Sequence, residues 1–241
     1  MLFGCNEDQY SEVSADITGI TMVRVTFGKD QIPNPWPATP AGTVGLAELK
    51  PPYPGLMSGA LDAALTASLA AAPAGTWVCA YHEVNHVRPN QPYSAAQMRQ
   101  IETHMSGLVR AANPALKYGV ILNDASKGLA SWVIPGLDFY AVDIYEGRVP
   151  GGVRDFSEVA NRNFSQLPEG VRAIGETNSC TPAHRPAWFR EAYDWLYTHN
   201  GGAMLTYWNP AGPYSGPWLH NDEATIYALR RISHAAGRGS L

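Results

Sequence analysis

Charge is scarce in this chain of 241 residues. Lys, Arg, Asp and Glu together make up 16% of it, leaving a formal net charge of −4 and no basic run. A nucleic-acid partner is recognised through a basic face that neutralises phosphates, so the composition speaks against that class. No apolar run reaches about 18 residues, which leaves no candidate membrane span. Met1-Leu2-Phe3-Gly4-Cys5 lacks the basic and long apolar regions of a secretory signal. Only three cysteines occur, Cys5, Cys79 and Cys180, an odd number with no metal-like spacing. Cys5 and Cys79 sit in apolar runs and read as small buried hydrophobes. There is no G-x-S-x-G and no Cys set beside a plausible base, so serine and cysteine hydrolases find no support. Internal repeats, low-complexity tracts and linkers are also missing.

Apolar material is not scarce. Hydrophobic residues supply 45% of the chain, enough for one sizeable core. Eight segments rich in β-formers recur along it: Leu2 to Cys5, Ile20 to Phe27, Thr43 to Lys50, Thr76 to Ala80, Tyr118 to Leu122, Leu137 to Ile144, Val171 to Gly175 and Ala203 to Trp208. Helical spacing lies between most of them. Leu61, Leu65 and Leu69 form one such stripe. Met98, Ile101, Met105, Leu108 and Val109 form another, behind a capping-box signature at Ser94 and Gln97. Further helices are expected near Phe156 to Phe164, over Trp188 to Leu196, and from an Asn221 or Asp222 cap through Ile232. Strands alternating with helices imply parallel pairing through right-handed crossovers. Eight units in a chain of this length predict one closed (β/α)8 TIM barrel over residues 1–241, an α/β fold of typically about 250 residues. A doubly wound open sheet is the structural alternative.

Two strands end in a glutamate. Thr76-Trp77-Val78-Cys79-Ala80 leads to Tyr81-His82-Glu83-Val84-Asn85-His86, and Val171-Arg172-Ala173-Ile174-Gly175 delivers Glu176. In a barrel all strand C-termini open onto one face, so Glu83 after the fourth strand and Glu176 after the seventh can converge there. Paired carboxylates suit glycosidic cleavage, in which one protonates the leaving oxygen while the other attacks or activates water. Arg24 is a charge inside the second strand, where a partner is expected. Asp143 and Tyr145 end the sixth strand and Trp208 the eighth. Lys50, Asn123 and Asp124 also end strands and are possible subsite contacts. The loop from Gly28 to Gly42 holds four prolines and Trp36, and its length suggests work at a cleft. Trp36, Tyr214 and Trp218 are loop aromatics suited to stacking on sugar rings, or to pinning a loop.

The motifs at Tyr81 to Asn85, Asp143 to Tyr145, Ile174 to Glu176 and Tyr207-Trp208 resemble those of the large clan of retaining (β/α)8-barrel glycoside hydrolases. The His82-Glu83 pair with Asn85 two residues on is most similar to family 26, the β-mannanase-like branch. The resemblance implies Glu83 as general acid/base and Glu176 as nucleophile, with Tyr145 hydrogen-bonded to Glu176. It implies Trp208 as a sugar platform and Arg24 as the cation that keeps Glu176 ionised. His82 would bind a sugar hydroxyl or orient a carboxylate, and Asn85 and Asp143 would border the substrate. A carbohydrate is the implied partner, with no nucleic acid or membrane partner and no cofactor or metal. The chain is expected to be a monomer or a module of a larger protein, extracellular or virion-associated, from a bacterium or phage.

Two other readings compete. His82-Glu83-Val84-Asn85-His86 matches H-E-x-x-H, whose two histidines bind zinc from one face of a helix. Its β-rich lead-in, with Gly75 before and Pro89 after, favours a strand and loop instead. The nearest third-ligand candidate is Glu102. A non-catalytic carbohydrate-binding barrel would keep the aromatics and could lose a carboxylate.

Overall fold

The structure, a computed structural model, describes residues 2–6, 14, 17, 19–28, 30–86, 93–125, 127–146, 154–179, 181–200, 204–206 and 223–237. Eight strands run β1 (Leu2–Asn6), β2 (Met22–Thr26), β3 (Val44–Leu49), β4 (Trp77–Ala80), β5 (Lys117–Asn123), β6 (Phe139–Tyr145), β7 (Val171–Asn178) and β8 (Met204–Thr206). Each pairs in parallel with the next, and β8 returns to β1, so the barrel is closed. The helices are α1 (Tyr53–Met57), α2 (Asp62–Ala71), α3 (Ala95–Ala112), α4 (Phe156–Phe164), α5 (Arg185–Asn200) and α6 (Glu223–Gly237). The expected caps at Asn221 or Asp222 lie outside the described residues.

Among the described residues, two connections lack a full helix. Only a short 3-10 turn, Leu129–Trp132, lies between β5 and β6. The Pro-rich stretch between β2 and β3 forms no helix among its described residues, because its prolines remove donors and fix the backbone. It covers the outer wall where a helix would sit. Trp36 packs edge-on against Phe27 at 5.8 Å, its Nε1 donates to the Ser68 carbonyl of α2 at 2.6 Å, and Ser68 Oγ donates to the Pro33 carbonyl at 2.5 Å.

Strand alternation sorts the apolar residues into two cores. The outer one, between barrel and helices, takes residues such as Val78, Tyr118, Val120, Leu122, Val142 and Ile174 with Ile101, Met105, Phe189 and Leu196. The inner one is a plug of Met22, Leu46, Cys79, Ile121, Phe139, Ala141, Ala173 and Met204. Phe139 fills the plug because Gly119 faces it: a Cβ there would stand 2.5 Å from the ring. Two residues further along the strands the inward positions turn polar. Met22 gives way to Arg24, Leu46 to Glu48, Ile121 to Asn123, Ala141 to Asp143 and Met204 to Thr206. The polar layer lies at the C-terminal mouth.

On α3 a buried titratable group stands outside that layer. The α3 capping box forms as expected, Ser94 Oγ accepting from Gln97 N and Gln97 Oε1 from Ser94 N. Within the apolar stripe of Met98, Ile101, Met105 and Val109, however, stands Glu102, fully buried. Tyr118 is its polar neighbour but closes no hydrogen bond of normal geometry with it. Burial pushes the Glu102 carboxyl up to about 8, and the Tyr118 hydroxyl offsets this only in part. The folded chain therefore retains a proton that the unfolded chain has lost above its ordinary carboxyl pKa. Stability falls as pH rises from about 4.5 to about 8, and the full penalty is about 5 kcal/mol beyond that. Glu102→Met removes the group at similar volume. Thermal melts should show a gain of several degrees at pH 9 and much less at pH 5; an equal change at both would contradict this.

Candidate active site

The Tyr81–His86 segment leaves β4 through strained backbone. Tyr81 and Glu83, neither a glycine, adopt φ of 63° and 50°. Such left-handed non-glycine residues cost about 1–3 kcal/mol each and persist where surrounding contacts hold them. Tyr81 is held by its hydroxyl, which donates to the Pro51 carbonyl at 2.5 Å, and by its ring against Tyr93. The two reversals give the three side chains different directions. Tyr81 turns to the wall, His82 reaches Asp143 and Glu83 reaches Asn123. No helix forms over residues 81–86, so the H-E-x-x-H match has none of the helical geometry that a zinc pair requires.

Glu176 is aimed by a bulge. Val142 pairs with Ile174 but Ile144 pairs with Thr177, so Gly175 and Glu176 together oppose Asp143. The extra residue breaks the alternation: Glu176 turns into the mouth while Thr177 faces outward, bonded to Trp188 of α5 at 2.8 Å. Only glycine fits at 175, because a Cβ would stand 2.4 Å from Asp143 Oδ1 and 2.7 Å from Ile121.

Four strands then meet on one carboxylate. Arg24 Nη1 donates to Glu176 Oε1 and Tyr145 Oη to Glu176 Oε2, and His82 Nε2 lies 3.5 Å from Oε1. Arg24 Nε pairs with Glu48 Oε1, and Thr26 donates to the other Glu48 oxygen at 3.1 Å. His82 Nε2–H donates to Asp143 Oδ2. Burial opposes ionisation of Glu176, but Arg24, then His82, and the bonds from Tyr145 and Arg24 hold its pKa below the usual carboxylate range. Burial likewise opposes charge on His82, yet Asp143 and Glu176 overcome it and raise the imidazole to about 9. Asp143 is pushed up by its own complete burial. Glu83 and Glu176 both act electrostatically on Asp143 and on Tyr145, so the two glutamates share this mouth.

Glu83 has its own support. Asn123 Nδ2 donates to Glu83 Oε1, and Asn85 fixes Asn123 by accepting from its N–H at 2.6 Å and donating to its carbonyl at 2.9 Å. These bonds extend the β4–β5 ladder past the point where β4 has turned away.

Asn85 directs both ends of its amide to the Asn123 backbone and clamps it. Trp36 pins the outer loop and does not face the mouth. Lys50 follows β3, and no ion pair of Lys50 occurs among the described residues. Trp208, Tyr214 and Trp218 lie outside the described residues. Asp124 is spent on Arg154, Arg162 and Asn163 at 2.7–2.8 Å. Sequence reasoning missed Glu48 as the second partner of Arg24, though an acid two residues after Leu46 on the neighbouring strand was the available signal. Ligand atoms of His82, Asp143 and Glu176 lie within 4.8 Å of one another, close enough to bind a cation. Arg24 and the His82 proton already balance these carboxylates, so the set fits a metal poorly.

No protein-family model and no curated protein matches the sequence. Solved structures do match its fold. A GH128 (subgroup VII) oligosaccharide-binding protein from Trichoderma gamsii is 12% identical with a TM-score of 0.61, covering 95% of this chain and 93% of that one. The exo-β-1,4-mannosidase of Opitutaceae bacterium strain TAV5 is 12% identical with a TM-score of 0.65, covering 99% of this chain and 60% of that one. A GH39 β-xylosidase from Caulobacter crescentus is 14% identical with a TM-score of 0.63, covering 97% and 70%. At these identities the likeness establishes the barrel. No described helix is long and apolar enough to cross a membrane.

Proposed function

We propose that this chain is a glycoside hydrolase that cleaves a polysaccharide or oligosaccharide with retention of configuration, its catalytic unit spanning 1–241. The observation that carries this reading is Glu176: buried, kept anionic by Arg24, and aimed by a bulge into the mouth that Glu83 shares. In the first step the Glu176 carboxylate attacks the anomeric carbon and the C–O bond breaks. Glu83 gives its proton to the leaving oxygen. In the second step Glu83 takes a proton from water, whose oxygen displaces Glu176 and releases the sugar. Tyr145 and Arg24 position the nucleophile, while Asn123 and Asn85 position the acid. His82, charged and beside Asp143 and Glu176, is placed to donate to a sugar hydroxyl. The His82-Glu83 pair favours a β-mannanase-like substrate, and Trp208 is proposed as the sugar platform.

A carbohydrate-binding barrel without catalysis is the second reading. It is favoured by the near end-to-end match to an oligosaccharide-binding protein. Hydrolysis of mannans, xylans, β-glucans and aryl glycosides, together with calorimetric binding to the same panel, separates the two. The enzyme reading expects turnover that falls about 10²–10⁴-fold in Glu83→Ala. Azide should restore that variant on substrates with good leaving groups. Tight binding with no turnover on any substrate would leave the binding barrel instead.

A further inference from the structure

Another carboxylate-held histidine, His184, stands apart from the Arg24–Glu176 cluster. Glu146 follows Tyr145 directly, and its N–H donates to the Asn178 carbonyl at 3.2 Å, so it sits where β6 and β7 leave the barrel. Its carboxylate is only 3% exposed and takes no part in the proposed chemistry. Both its oxygens are engaged: Ser179 Oγ donates to Oε2, and His184 Nδ1 donates to Oε1 at 3.0 Å. The described residues around this pair are tied together. Ser179 Oγ accepts from Thr181 N at 3.1 Å, buried Arg185 donates from Nε to the Ser179 carbonyl at 2.7 Å, and His184 N donates to the Thr181 carbonyl at 2.9 Å. His184 nevertheless leaves 41% of its side chain open to solvent.

We propose that His184 is a hydroxyl-reading residue for a sugar beside the one attacked, and that Glu146 is its positioning residue. The proposal rests on the glycoside reading above. A buried carboxylate bound at Nδ1 fixes the ring's tautomer and orientation and leaves Nε2 as the outward polar atom. A histidine serving only to tie the loop would gain nothing from an open ring. Ser179 lies three residues past Glu176, roughly 10 Å further along an extended chain. His184 therefore meets a neighbouring residue of a polymer and not the sugar bonded to Glu176.

The test compares the best-cleaved oligosaccharide with the best-cleaved aryl monoglycoside. His184→Ala should raise KM for the oligosaccharide about three- to tenfold, the scale of one net hydrogen bond, with kcat unchanged. Kinetics on the aryl monoglycoside should not move. His184→Gln, which keeps a polar atom near the Nε2 position, should recover part of the loss, and Glu146→Gln should reproduce part of it. An unchanged oligosaccharide KM in His184→Ala, or an equal loss on both substrates with a lowered Tm, would overturn the proposal while leaving the glycosidase reading intact. If the wild type neither cleaves nor binds any glycan, the functional reading itself fails.

Discussion

Glu176→Gln is expected to lower kcat/KM on every cleaved substrate by roughly 10⁴-fold or more, since in the proposed mechanism it ends the covalent route and not merely one contact. The amide is isosteric: its oxygen can still accept from Arg24, and its NH2 can donate to the Tyr145 hydroxyl oxygen. Substrate affinity should persist, and binding measured by calorimetry on this variant should match the wild-type Kd within a few-fold. Retained affinity with lost turnover separates chemistry from folding. A variant that keeps more than a tenth of wild-type activity would remove Glu176 from the nucleophile's role.

Arg24→Met should be the most damaging change for stability. Arg24 is 5% exposed and lies between Glu48 and Glu176, both buried. Taking away the shared cation leaves Glu48 with the Thr26 hydroxyl and Glu176 with His82 and Tyr145, a loss of about 3–5 kcal/mol. The same change has a kinetic signature. In the proposed mechanism Glu176 must be ionised to attack, and Arg24 is the largest influence holding its pKa down against burial. Without it the Glu176 pKa rises and the acid limb of the pH–rate profile moves to higher pH. Adding Glu48→Gln removes one of the two carboxylate charges and should return part of the stability but not the acid limb. An acid limb that stays in place would show that Arg24 serves the fold alone.

Linkage gives the wild type a stability maximum in mildly acidic solution. Glu176, with its lowered folded pKa, contributes stability above the ordinary carboxyl pKa that is lost as pH falls through the folded value. His82, raised to about 9, contributes stability that is complete below its unfolded pKa of about 6.5 and is lost as pH rises through 9. Glu102 acts in the same direction on the alkaline side, so a fall in Tm from near-neutral to alkaline pH belongs to these two groups together.

The barrel was legible because its evidence is periodic. Eight β-rich runs separated by helical stripes could be read without tertiary knowledge, and the Ser94–Gln97 cap survives unchanged. What could not be read was direction. Strand alternation would place Glu176 outward, opposite Gly175, and only the bulge across from Asp143 turns it inward. The left-handed turns at Tyr81 and Glu83 send Asn85 along the β5 backbone, which no local pattern foretold. Trp36 was ambiguous for a related reason. A long Pro-rich loop with an aromatic reads the same whether it borders a cleft or stands in for a missing helix, and the Ser68 carbonyl that decides the matter lies 32 residues away. Glu146 and His184 escaped because neither ends a strand with a recognisable partner, and their pairing exists only through the β6–β7 junction.

The most direct test of the central claim is a covalent trap. Incubation with the 2-deoxy-2-fluoro glycosyl fluoride of the preferred sugar, followed by mass spectrometry of peptides, should place one glycosyl adduct on the peptide containing Glu176. No adduct should form in Glu176→Gln. Turnover of the parent glycoside with an inverted first product and no adduct, or an adduct on another residue, would contradict the account.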